Sequence, residues 1–106
     1  MVESEIKMRS FFYRRGSRED ISAAVVALRK AVKLRPQLPE YLTTLGAALR
    51  EDEQFDEAAA TLRQAVKMKP DLIEAHSNLG LTLLRMKNYD GAIAEFQAAL
   101  KLDDQT

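Results

Sequence analysis

Ala31-Val32-Lys33-Leu34-Arg35-Pro36 comes back as Ala65-Val66-Lys67-Met68-Lys69-Pro70, so that position 31 maps onto position 65 and position 36 onto position 70. A period of about 34 residues marks a repeat array, in which each unit is one supersecondary element that cannot bury its apolar face alone. The 106 residues accommodate about three such units and almost nothing else. Architecture then follows from stacking, and function from the surface that stacking creates.

Spacing on either side of the repeated hexapeptide identifies the unit as two helices. Pro39 stands where a first helical residue without an N–H costs nothing, and Tyr41, Leu42, Leu45, Ala48 and Leu49 recur at intervals of three and four. That predicts a helix over Pro39–Glu51. Glu53 and Gln54 form a turn, after which Phe55, Ala58, Ala59, Leu62, Ala65 and Val66 draw a second stripe. It ends before Pro70, because the residue preceding a proline is pushed out of the helical region. The scheme repeats with Ala75, Leu79 and Leu83, a turn at Lys87 and Asn88, then Tyr89, Ala92, Ile93, Phe96, Ala99 and Leu100. Ser17 followed by Asp20 reads as a helix-start box, so the second helix of the first unit is expected to begin near Arg18. A shifted first helix is expected over roughly residues 4–14, with Met8, Phe11 and Phe12 packing.

Gly46 and Gly80 fall inside these helices, where glycine costs about 1 kcal/mol relative to alanine. Close approach of the paired helix offsets that cost, with Ala58 and Ala92 expected to leave the space.

Charge is balanced overall at 16 basic and 16 acidic residues but polarised along the chain. Residues 1–38 hold nine Lys/Arg against four Asp/Glu, a net of +5, and residues 39–106 hold seven against twelve, a net of −5. Attraction between the front of one copy and the back of another is the natural consequence, weakened by salt. The cluster Arg14, Arg15 and Arg18 is not interleaved with a platform of aromatics, so nucleic acid is not an expected partner.

No constellation for catalysis is found. Cysteine is absent, which removes disulfides, thiolate nucleophiles and sulfur-ligated metals. His76 is the sole histidine and lies on the packing side of its helix, so a satisfied, partly buried ring is expected rather than a general base. Glu51, Asp52 and Glu53 lack the spaced oxygen ligands of a calcium loop and are expected to serve solubility or a basic partner. The expectation is of no enzyme, no cofactor and no metal. Met1 to Phe12 carries Glu3, Glu5, Lys7 and Arg9 and no apolar run fit for a signal peptide or membrane span, so a cytoplasmic, soluble chain is expected. A fragment of a secreted or membrane-anchored parent would read the same.

Two helices within one such period, with this order of large and small positions, resemble the tetratricopeptide repeat (TPR) family over essentially the whole length. The match rests on Leu42, Leu45, Gly46, Leu49, Ala58, Leu62, Ala65 and Pro70 in one unit. In the next it rests on Leu79, Gly80, Leu83, Ala92, Phe96 and Ala99, while His76 and Asp104 depart from the pattern. Ala24, Leu28, Ala31 and Pro36 fit in the first unit, but Phe12 falls where the family has glycine. The resemblance implies an all-α, right-handed superhelix of three stacked antiparallel helix pairs, with units at about 5–38, 39–72 and 73–106.

It also implies a concave groove, lined by the first helix of each pair, that receives a peptide or helix of a partner protein. In that register the binding residues are Arg9 and Tyr13 from the first unit and Thr43, Thr44, Ala47 and Arg50 from the second. The third supplies Ser77, Asn78, Leu81, Leu84 and Arg85, and Glu40, Glu51 and Glu74 lie on the same face. Ala47, Leu81 and Leu84 suit an apolar partner side chain, with packing against a neighbouring helix as the alternative, and Arg50 and Arg85 suit acidic groups. Members that clamp the C-terminal carboxylate of heat-shock chaperones use lysines, asparagines and an arginine at positions that here hold Arg9, Tyr13, Thr44, Glu74 and Asn78. Glu74 would repel the carboxylate, so this clamp is not expected. The alternative function is a self-associating assembly domain or a fragment of a larger scaffold, with Ile93, Phe96 and Leu100 forming an uncovered C-terminal edge suited to a homodimer.

Overall fold

A computed structural model describes residues 18–105, and within them the chain is five α-helices. They are α1 (Arg18–Leu34), α2 (Pro39–Glu51), α3 (Phe55–Met68), α4 (Ile73–Arg85) and α5 (Tyr89–Asp104). Among the described residues there is no strand. The expected helix over residues 4–14, with Met8, Phe11 and Phe12, lies outside them.

Helix starts and stops follow local chemistry. Pro39 opens α2 with φ preset and no orphan N–H to satisfy. Lys69 is extended at φ −140°, ψ 87°, because Pro70 follows it, and α3 stops there. Asn88 caps α5, its Oδ1 accepting from the Gly91 N–H at 3.1 Å.

The connections from α2 to α3 and from α4 to α5 are the same motif. Glu53 N donates to Arg50 O and Gln54 N to Leu49 O, both at 2.9 Å; Lys87 N donates to Leu84 O at 3.0 Å and Asn88 N to Leu83 O at 2.8 Å. Each is a Schellman stop, which needs a left-handed residue at its corner. Here those residues are Glu53 (φ 61°) and Lys87 (φ 64°), neither of them glycine.

Antiparallel hairpins α2–α3 and α4–α5 stack in series, with α1 against α2 and α4 against both α2 and α3. The core runs through the stack as three linked clusters. Val25, Leu45, Leu49 and Ala58 join α1 to the first hairpin. Leu42, Ala65 and Ala75, and then Ala59, Leu62, Leu79, Leu83 and Ala92, join the two hairpins. Gly46 and Gly80 admit side chains rather than backbone: a Cβ at Gly80 would lie 2.7 Å from Phe96 Cε1, and one at Gly46 would collide with Leu62 Cγ. The expected alanines, Ala58 and Ala92, are buried, but Leu62 and Phe96 are what fill the notches.

Candidate functional site

The exposed face shared by α2 and α4 is the candidate site, and the structure divides the residues assigned to it. Thr44 is exposed, its hydroxyl donating to Glu40 O at 3.0 Å, and Ala47 is half-buried one turn further on. Leu81 and Leu84 on α4 are 41% and 44% exposed, so both are open to solvent and neither is core. Three of these four are exposed and Ala47 is half-buried, and Ala47, Leu81 and Leu84 are the apolar ones. Arg9 and Tyr13 lie outside the described residues.

Thr43 does not belong with them. It is 2% exposed and its Oγ1 donates to Pro39 O at 2.8 Å, which makes it a satisfied core hydroxyl. Ser77, its counterpart one repeat later, is half-buried and lines a cleft with Ile73 and Phe96 at the end of the stack rather than the groove. The sequence register puts both on the face, but how much of a residue its neighbours cover is set by the packing of the helices and not by periodicity.

The two arginines are engaged within the chain. Arg50, its side chain only 12% exposed, donates from Nη1 to Asn78 Oδ1 at 3.0 Å and lies 3.4 Å from Glu51. That contact joins α2 to α4 and uses the Asn78 carbonyl oxygen, so Asn78 also acts as a structural partner. Arg85 holds its guanidinium 5.2 Å from the centroid of the Phe55 ring, a cation–π contact. Spacing alone gives Phe55 only as a packing residue, and its place beneath Arg85 depends on the stacking of α4 against α3, which brings the start of α3 to the end of α4.

His76 is 8% exposed, with Nδ1 2.7 Å from Glu95 Oε2 and Nε2 2.7 Å from Pro70 O. The ring is buried and satisfied, as expected. Two of the acidic trio make surface contacts within the chain: Glu53 lies 3.7 Å from Arg18, and Asp52 accepts from Gln54 Nε2 at 2.6 Å. Arg29 forks onto Glu57, with Nη2 2.9 Å from Oε2. That hydrogen bond holds the Glu57 carboxyl below the usual carboxylate range and raises the guanidinium. Among the described residues no group of His, Asp and Glu is placed to hold a metal ion, and no helix is long and apolar enough to cross a membrane.

Solved structures of other proteins share this stack of hairpins, although no curated protein matches the chain. The TPR2B domain of yeast Sti1, in its complex with pHsp70, is similar at TM-score 0.79 and 23% identity, over 98% of this chain and 80% of that one. The Sgt2 TPR domain from Aspergillus fumigatus gives 0.78 at 26% identity, over 95% and 67%. MamA from Desulfovibrio magneticus RS-1, residues 41 to the end, gives 0.77 at 24%, over 89% and 55%. The chain thus spans about half the length of the MamA structures it resembles. The tetratricopeptide repeat family profile matches residues 12–73 and again 43–105, and with nearly the full length so covered the chain belongs to that family.

Proposed function

We propose that this protein is an interaction module whose concave face takes a segment of a partner protein, extended or helical, with apolar side chains seated over Ala47, Leu81 and Leu84. The observation that carries this reading is the pair Leu81 and Leu84, exposed side by side on a helix whose other leucines, Leu79 and Leu83, are 2% and 3% exposed. Two leucines one turn apart on an open face match the spacing with which a helix or strand presents its anchors. Thr44 and Arg85 supply the polar rim. The Sti1 domain, solved with pHsp70, supports a protein ligand for such a fold. A terminal-carboxylate clamp is set aside here, because Glu74 puts a negative charge where the clamp needs a donor.

A photo-crosslinking residue at position 81 tests the groove directly. It is expected to capture a discrete partner segment, with none captured from position 60 on the opposite face of the hairpin. Leu81→Glu is expected to retain helicity by circular dichroism and to lose the crosslinked partner at position 84. Equal capture from positions 60 and 81 would remove the assignment.

A second reading is self-association. It is favoured by the open cleft at the end of the stack, where Leu100 is 64% exposed beside Ile73, Phe96 and Ala99. Phe96 itself is only partly exposed and packs against the Leu62–Leu79 cluster, so the uncovered edge is centred on Leu100 and Ile93.

A further inference from the structure

The two helices that line the candidate groove carry few charges, and most of these are answered within the chain. On α2, Glu40 lies 3.6 Å from Lys69 Nζ, and Arg50 lies 3.4 Å from Glu51 while donating to Asn78 Oδ1 at 3.0 Å. On α4, His76 is turned to Glu95. Glu74 and Arg85 are left. Glu74 is exposed, and its carboxylate has no ion-pair or hydrogen-bond partner among the described residues. Arg85 is exposed as well, and among those residues its guanidinium meets the Phe55 ring, 5.2 Å away, and no carboxylate. An aromatic ring attracts a cation without neutralising it, so the N–H donors that a carboxylate would take stay available.

Helical geometry puts these two charges in register with the exposed leucines. Glu74, Asn78, Leu81 and Arg85 follow one another at intervals of four, three and four, which is one stripe of an α-helix, with Leu84 beside it. Arg85 stands 11 positions after Glu74, about 16 Å along the axis at about 1.5 Å per residue. The macrodipole of α4 favours an acid in the first turn and a base in the last, and α2 has the same arrangement in Glu40 and Arg50. There each charge has met a side chain of opposite sign. Helix stability accounts for the signs on α4 and leaves their lack of partners unexplained.

We infer that the guest on this face is an amphipathic segment with a charge of each sign: apolar side chains over Leu81 and Leu84, a carboxylate reaching Arg85, and a lysine or arginine reaching Glu74. The inference rests on the groove reading above and adds the charges of the guest. Complementary charges at the two ends of an apolar contact fix its register and oppose the alignment in which each end meets its own sign.

Selection from a phage-displayed library of random peptides about 16 residues long, enough to cover this span as helix or strand, tests it. Peptides captured by the wild-type protein are expected to share an apolar pair with an acidic residue on one side and a basic residue on the other. Such a peptide is expected to lose affinity for the exchanged variant, Glu74→Arg with Arg85→Glu, and to regain it when its own two charges are exchanged. Glu74→Gln or Arg85→Gln alone is expected to weaken its binding by about 1.5- to 5-fold at low salt, the range of an exposed ion pair, and by less as salt shortens the Debye length. Each variant is expected to keep its helicity by circular dichroism. Selected peptides that carry the apolar pair without flanking charges, or whose affinity is unmoved by the exchange, overturn the inference and leave the groove standing. Capture that survives Leu81→Glu, or no enrichment at all, removes the groove and the inference with it.

Discussion

Glu53 and Lys87 occupy the left-handed corner of two equivalent turns, at φ 61° and 64°, where a Cβ crowds the following carbonyl and costs roughly 1–2 kcal/mol. Glycine removes that crowding but loses about 0.5–1 kcal/mol of chain entropy on folding. Lys87→Gly is therefore expected to stabilise the protein by about 0.5–1 kcal/mol in urea unfolding. Gly80 has the opposite sensitivity. A methyl there would meet the Phe96 ring at 2.7 Å, so Gly80→Ala is expected to destabilise by about 1–3 kcal/mol in the same assay. The turns were readable at Glu53–Gln54 and Lys87–Asn88, but their left-handed backbone was not, because the usual glycine or asparagine is missing and only the paired hydrogen bonds reveal the motif. The in-helix glycines were readable as close contacts, but not the identity of the side chains pressed against them, which depends on the tilt of one helix over the other.

Between elements, the Arg29–Glu57 pair ties α1 to α3 across a boundary where Val25, Leu28 and Val32 supply the apolar packing. Because Glu57 is held below its usual range when folded, the pair contributes fully above the pKa of the unfolded carboxyl. The contribution fades as pH falls through the depressed folded value. Both side chains are over 40% exposed, so the contribution is small, about 0.2–1 kcal/mol. Urea midpoints of wild type and Glu57→Gln are expected to differ slightly near neutral pH and to converge in acid. The cap of α5 is a local counterpart: Asn88→Ala leaves the Gly91 N–H without its acceptor and is expected to cost about 0.5–2 kcal/mol in the same unfolding assay. Helix boundaries were readable because proline and apolar spacing act locally. Side-chain pairs such as Arg29 with Glu57 and Arg50 with Asn78, each 28 residues apart, were not. They depend on how far one hairpin is displaced along the next, and no single-unit pattern encodes that displacement.

For the molecule as a whole, burial is concentrated in the middle of the stack. Leu49, Ala58, Leu62, Ala65 and Ala75 are all 0% exposed on α2, α3 and α4, whereas α5 leaves Ile93 and Leu100 more than half exposed. In a series of units held by nearest neighbours, protection follows that gradient. Hydrogen exchange is expected to be slowest in α3 and α4 and faster along the second half of α5. The helical-hairpin array followed from the return of one hexapeptide at a fixed interval, which is a property of sequence. Exposure of the residues assigned to the groove was legible only in part: Thr44, Leu81 and Leu84 are exposed and Ala47 half-buried, while Thr43 is buried and Arg50 is engaged by packing between units. His76 shows where such packing leads. Its ring spans Pro70, just past the end of α3, and Glu95 on α5, whereas the residue one repeat earlier is Leu42, so among the described residues only the joint between the two hairpins carries this polar clasp. The clasp thus adds two directional polar contacts to the apolar packing that holds the end of α3, α4 and α5 together, and directional contacts fix the register of one helix on the next more narrowly than apolar packing does.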